Sequence, residues 1–156
     1  MKNKSKILFV CLGNICRSPT AHAILEKKIL DENLQHKIIV DSAGTGDWHI
    51  GRPPDLRAQK IALRHNYDLS NLKARQVSFA DFYDFDYILA MDKQNLIDLK
   101  AMAPLDFSGS LQLFLDFGST DKNEVPDPYI GGEAGFEGVL SLIEDAVDGL
   151  FRHLIR

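Results

Sequence analysis

Four short runs in this chain have the make-up of strands buried on both faces. Residues 6–10, 37–42, 86–91 and 111–115 each centre on consecutive aliphatic, β-branched or aromatic side chains, with turn or polar residues around them. Between them the apolar spacing changes to that of helices. Ala21, Ile24, Leu25 and Ile29 share one face of a segment that follows the first run, and a second helix is expected near residues 55–66. The clearest periodicity comes last. Phe136, Val139, Leu140, Ile143, Val147, Leu150, Phe151 and Leu154 step by three and four, with Glu137, Glu144, Asp145, Asp148 and Arg152 on the other side. Strands that alternate with helices pair in parallel, and their sheet is covered on both faces. The expectation is an α/β fold in one domain, residues 1–156, with four parallel strands flanked by helices.

In such sheets ligands bind beyond the carboxyl ends of the strands, which directs attention to the loop after the first run. It reads Cys11-Leu12-Gly13-Asn14-Ile15-Cys16-Arg17-Ser18. Ser18 is expected to cap the next helix, with Pro19 at its first position. A helix starting there turns unpaired N–H groups and partial positive charge towards the loop, and Arg17 adds a full charge. Both favour a thiolate at Cys11 and an anion beside it. Gly13 and Asn14 tolerate the positive φ of a tight wrap. The amides of Leu12, Gly13, Asn14, Ile15, Cys16, Arg17 and Ser18 can then form a nest for one phosphate, with Arg17 gripping two of its oxygens.

The rest of the composition narrows the possibilities. The formal net charge is −4, and Lys2, Lys4 and Lys6 are too few and too dispersed for a nucleic-acid arm. The apolar residues 7–12 run into Gly13, Asn14 and Arg17, too short for a signal peptide core, and no stretch is long enough to span a bilayer. No nucleic-acid partner and no membrane insertion are expected. The chain has two cysteines, Cys11 and Cys16; in the cytoplasm, where the protein is expected, both are thiols. His22, His36, His49, His65 and His153 are scattered without metal-ligand spacing. No metal or other cofactor is expected, and His22 reads as a surface or packing residue.

Residues 10–19, VCLGNICRSP, resemble the signature of the low-molecular-weight protein tyrosine phosphatases. The resemblance extends along the chain through DSAGT (41–45), Trp48, KARQ (73–76), FDYILAMD (85–92) and DPY (127–129). It implies the same four-stranded parallel fold. It also implies hydrolysis of phosphotyrosine in proteins through a cysteinyl-phosphate, with tyrosine-phosphorylated proteins as partners. Cys11 matches the nucleophile and Arg17 the phosphate grip. Asp127, an ordinary Pro-Asp-Pro turn on local sequence alone, matches the acid that protonates the leaving group and then activates water. Ser18 is placed to donate to the Cys11 sulfur, Asn14 and Ser42 match a loop-bracing pair, and Asp92 is placed to orient Arg17 or to cap a helix.

Trp48 and Tyr129 match the aromatic pocket walls. Ile15 stands where relatives acting on phosphoarginine carry Thr, which favours phosphotyrosine. Leu72 replaces a His that in many relatives braces the loop Asn, and Ile130 replaces a second Tyr of some relatives. Cys16 is a candidate to trap an oxidised Cys11 as a disulfide. Thiol-dependent arsenate reductases share this fold and loop but need further cysteines, which the chain lacks after Cys16. A phosphopeptide-binding module without catalysis, or a thiol redox protein, is the alternative of a different class.

Overall fold

The computed structural model describes residues 4–128 and 131–156. Strands β1 (Ser5–Cys11), β2 (Ile38–Gly44), β3 (Tyr87–Ala90) and β4 (Ser110–Leu113) form one sheet in the order β2-β1-β3-β4. All three pairings are parallel. Around the sheet lie α1 (Arg17–Asp31), α2 (Leu56–Arg64), α3 (Asp81–Asp84), α4 (Lys93–Met102), α5 (Gly132–Leu154) and a 3-10 turn at Phe114–Phe117. This is the expected α/β architecture.

Alternation along β1 divides the core. Ile7, Phe9 and Cys11 point to one face, where they meet Ile24 and Leu25 of α1, Ile61 of α2, and Ile143, Val147 and Leu150 of α5. Leu8 and Val10 point to the other, against Phe82 of α3 and Leu99 of α4. Residues 7–10 are entirely buried, each contributing about 1.5–3 kcal/mol by leaving water. A third, smaller cluster of Ala23, Ala62 and Leu69, with Tyr67 and Leu72 packed on it, seats α2 and the segment after it on α1. Both α1 and α2 are followed by asparagines in the left-handed region, Asn33 and Asn66, which Asn enters at lower cost than most residues.

β1 lies between β2 and β3, so the chain leaves it towards one neighbour and later returns on its other side. The crevice at the carboxyl end of β1 is therefore the switch point of the sheet, and the loop 11–18 occupies it.

Expected boundaries shift by one or two residues, and three of the shifts have a clear physical reason. β2 runs on to Gly44, which pairs with Cys11; a Cβ at Gly44 would lie 2.7 Å from the Leu12 carbonyl oxygen, so only glycine lets the strand pass so close to the loop. β4 ends at Leu113, two residues early. Phe114 turns into the 3-10 segment and crosses to the α1–α5 side, edge-on to Phe9 at 5.0 Å between ring centres. α1 begins at Arg17, with Cys16 at the N-cap position and no side-chain cap. Ser18 and Pro19 lie inside the first turn, so Ser18 is not the cap.

Gly149 of α5 packs on this 3-10 turn so closely that a Cβ would overlap the Phe117 carbonyl oxygen. Helix propensity alone favours Ala over Gly by about 1 kcal/mol, whereas forcing a packed backbone apart costs about 1–3 kcal/mol. Gly149→Ala is therefore expected to lower stability in urea unfolding; an unchanged or raised midpoint would show that the turn yields freely.

Candidate functional site

Cys11 ends β1 with its side chain buried. The chain then turns through Leu12 and Gly13 to Asn14, whose φ of 56° lies in the left-handed region. The turn is pinned from outside. The Cys11 and Leu12 carbonyls accept from the amides of Thr45 and Gly46 at 2.9 Å each, and the Ile15 carbonyl accepts from the Asp55 amide at 2.7 Å. The Asn14 amide donates to the Cys11 sulfur at 3.3 Å. Among the described residues, the amides of Gly13, Ile15, Cys16, Arg17 and Ser18 find no acceptor in the protein. A row of donors at a helix start suits an anion.

A chain of side-chain bonds reaches the sulfur from behind. The Arg75 amide, which can only donate, donates to Asn14 Oδ1 at 3.0 Å. The Asn14 Nδ2 group therefore faces Ser18 Oγ, to which it donates at 2.8 Å. Ser18 Oγ also lies 3.0 Å from the Cys11 sulfur, where it can donate to a thiolate, and 3.4 Å from the Ala43 carbonyl, its other acceptor. Arg75 is held by its own side chain, which bonds Asp41 at 3.1 Å and both oxygens of Asp81 at 3.0 Å. Burial works against its charge, but Asp81 and Asp41 outweigh this and hold the guanidinium protonated.

Arg17 is buried, and through Nη1 it donates to Asp92 Oδ2 at 2.7 Å and to the Val125 carbonyl at 3.0 Å. Among the described residues its hydrogen bonds run through Nη1 to Asp92 and Val125, so Nε and Nη2 keep donors for a ligand. Burial opposes the charge, yet Cys11, Asp92 and Asp127 together keep Arg17 firmly cationic. Asp92 performs both of its expected tasks with separate oxygens, because Oδ1 accepts from the Asn95 amide at 2.7 Å in a capping box that starts α4.

Cys11, Leu12, Gly13, Ile15, Cys16 and Arg17 line a cavity of about 110 Å³ together with Trp48, His49, Asp127 and Pro128. Trp48 is 64% exposed and lies over Gly46. The loop residues, Arg17, Asp127, Ile15 and Trp48 are thus brought to one place. Tyr129 and Ile130 lie outside the described residues. Cys16 is a buried free thiol, as is Cys11. Burial, then the nearby Cys11 and Asp55, push the Cys16 thiol far up, so it stays neutral at pH 7. No group of three or more metal-ligating side chains occurs among the described residues.

One expectation is corrected. Ser42 does not bond Asn14; its hydroxyl lies 3.0 Å from His22 Nδ1. Leu72 belongs to the apolar cluster on α1, and Asn14 is braced by Arg75 and Ser18 instead. The sequence reading missed Arg75, although it stands in the KARQ segment. It also missed His49, whose ring packs against Gly13, and it left His22 without a role.

A family model described as low molecular weight phosphotyrosine protein phosphatase matches residues 6–156. The chain is 45% identical over 145 residues to the low molecular weight protein-tyrosine-phosphatase YfkJ of Bacillus subtilis, covering 92% of each. Its fold is similar to that of a protein tyrosine phosphatase from Entamoeba histolytica crystallised with Hepes in the active site (TM-score 0.92, 42% identity, 97% of each chain). It is also similar to that of DARP, an arginine phosphatase of Drosophila (TM-score 0.89, 38% identity, 95% of this chain and 96% of that one).

His22 behind the loop carries a pH dependence. Burial, opposed by Glu26 and Asp41 and reinforced by Arg75, lowers its pKa from the ordinary 6.5. The folded state therefore holds His22 neutral, and below about pH 6.5 the unfolded chain takes up the proton first. Stability present at neutral pH is lost as the pH falls. His22→Gln keeps a partner for Ser42 and cannot be charged, so its unfolding midpoint should fall less than that of the wild type between pH 7 and pH 5. Parallel pH profiles would show that His22 is not held neutral.

Proposed function

The chain belongs to the low molecular weight phosphotyrosine protein phosphatase family, and from that premise we propose that it hydrolyses phosphotyrosine in cytoplasmic proteins with Cys11 as nucleophile. The observation that carries this reading is the convergence on one cavity of the Cys11 sulfur, the unpaired loop amides and the free edge of Arg17. The dianionic phosphoryl group binds to the amides and to Nε and Nη2 of Arg17, which match two of its oxygens. The Cys11 thiolate attacks phosphorus, an S–P bond forms and the ester P–O bond breaks. Asp127, which lines the same cavity, gives its proton to the departing tyrosine oxygen.

Water then attacks the cysteinyl-phosphate and yields its proton to the Asp127 carboxylate. The S–P bond breaks, phosphate leaves, and the Ser18 hydroxyl stabilises the departing thiolate. Charge that gathers on the phosphoryl oxygens in both steps meets donors already in place.

The walls support an aryl ester. Ile15 and Trp48 present apolar surface to a ring that would otherwise stay in water. A serine phosphate has no ring to set against those walls. Ile15, rather than Thr, supports phosphotyrosine over phosphoarginine. The cytoplasm is supported by the two unpaired thiols. Among the described residues no helix is long and apolar enough to cross a membrane. The partners are tyrosine-phosphorylated proteins; the acidic balance gives nucleic acid no basic face.

Hydrolysis of para-nitrophenyl phosphate in EDTA tests the assignment. Cys11→Ser should abolish turnover, and Asp127→Ala should slow it by about 10²–10⁴-fold. Activity retained by Cys11→Ser would refute the thiol mechanism and favour a binding module with adventitious hydrolysis.

A further inference from the structure

The first turn of any helix leaves amides without partners. In α4, Asp92 satisfies the Asn95 amide at 2.7 Å. The Lys93 amide, first in the helix, is satisfied from another part of the chain: Glu124 Oε2 accepts from it at 2.9 Å. A carboxylate at that position also meets the positive end of the helix dipole.

Glu124 begins the segment that ends in Asp127. Its neighbour Val125 is fully buried, donates to the Met91 carbonyl at 2.8 Å and accepts from Arg17 at 3.0 Å. Beyond lies Pro126, whose ring fixes φ, then Asp127 and Pro128. The chain between Glu124 and Asp127 therefore has few free torsions, and the orientation set at residues 124 and 125 is carried to the carboxylate of Asp127. Before Glu124, residues 118–123 form neither helix nor strand. The link from Glu124 to α4 is where the loop regains a fixed point.

We propose that Glu124 is a positioning residue, whose carboxylate seated on the first amide of α4 sets the angle at which Asp127 faces the leaving-group oxygen. The inference rests on Asp127 as the proton donor. A misdirected donor slows only those substrates whose leaving group needs a proton.

The test is kcat/KM over aryl phosphates of increasing leaving-group basicity, from dinitrophenyl phosphate to phenyl phosphate and phosphotyrosine. Glu124→Ala should lose about tenfold on the basic leaving groups and less than about twofold on dinitrophenyl phosphate. Glu124→Gln, which keeps an acceptor oxygen, should recover most of the loss. In the Asp127→Ala background, Glu124→Ala should cost nothing further.

A loss equal across the series, no loss at all, or full additivity with Asp127→Ala overturns the proposal. Asp127→Ala in the same series separates the two levels. If it steepens the leaving-group dependence while Glu124→Ala does not, the positioning role is wrong and the acid assignment stands. If neither does, the acid assignment is wrong and the proposal falls with it.

Discussion

The bond from the Arg75 amide to Asn14 Oδ1 settles the geometry around Cys11. The Arg75 N–H can only donate, so the Asn14 side chain has one orientation, and its Nδ2 faces Ser18. Asn14 stands in the left-handed region, which Asn enters at lower cost than most residues, and this bond fixes its side chain there. Arg75 is in turn immobilised by Asp41 at one end and Asp81 at the other. Its segment is stitched to β2, where the Gly44 amide donates to the Arg75 carbonyl and the Val77 amide to the Gly44 carbonyl, both at 2.8 Å. The loop that cradles the sulfur thus takes its shape from a segment some sixty residues later in the chain (Asn14 and Arg75 are 61 apart).

Arg17 plays the corresponding part on the other side. One nitrogen serves both Asp92 and the Val125 carbonyl, so the residue proposed to grip the phosphate also anchors the segment that brings Asp127. On that proposal, phosphate binding and placement of the proton donor share a single rigid fork. Arg is suited to this because its planar group offers separate edges for protein and ligand, which a Lys ammonium does not.

The parts legible in the sequence are those that leave a periodic or local signature. The buried strands, the α5 stripe and the run from Cys11 to Ser18 are of this kind, and so is Asp92 at a helix start. What escaped depends on contacts between residues far apart in the chain. Ser18 looked like a cap because Ser before a helix usually is one, and nothing local says that its hydroxyl is taken by Asn14 and Cys11. Ser42 looked like a partner for Asn14, but His22 on α1 claims it, and a single buried histidine leaves no pattern. Phe114 continued a strand-like run, yet the space beside Phe9 on the opposite face drew it out of β4. Glu124 is one acid among 22 acidic residues, and only the folded chain brings it to Lys93.

The account turns on whether phosphorus passes through the Cys11 sulfur. The most direct measurement is rapid acid quench of the enzyme during turnover of a phosphotyrosine peptide, followed by mass spectrometry of the peptide that contains Cys11. The account predicts one phosphoryl group on Cys11, with a larger fraction trapped in Asp127→Asn, where hydrolysis of the intermediate lacks its base. Phosphorus found on another residue, or steady turnover with no phosphoenzyme trapped at any quench time in either protein, would contradict it.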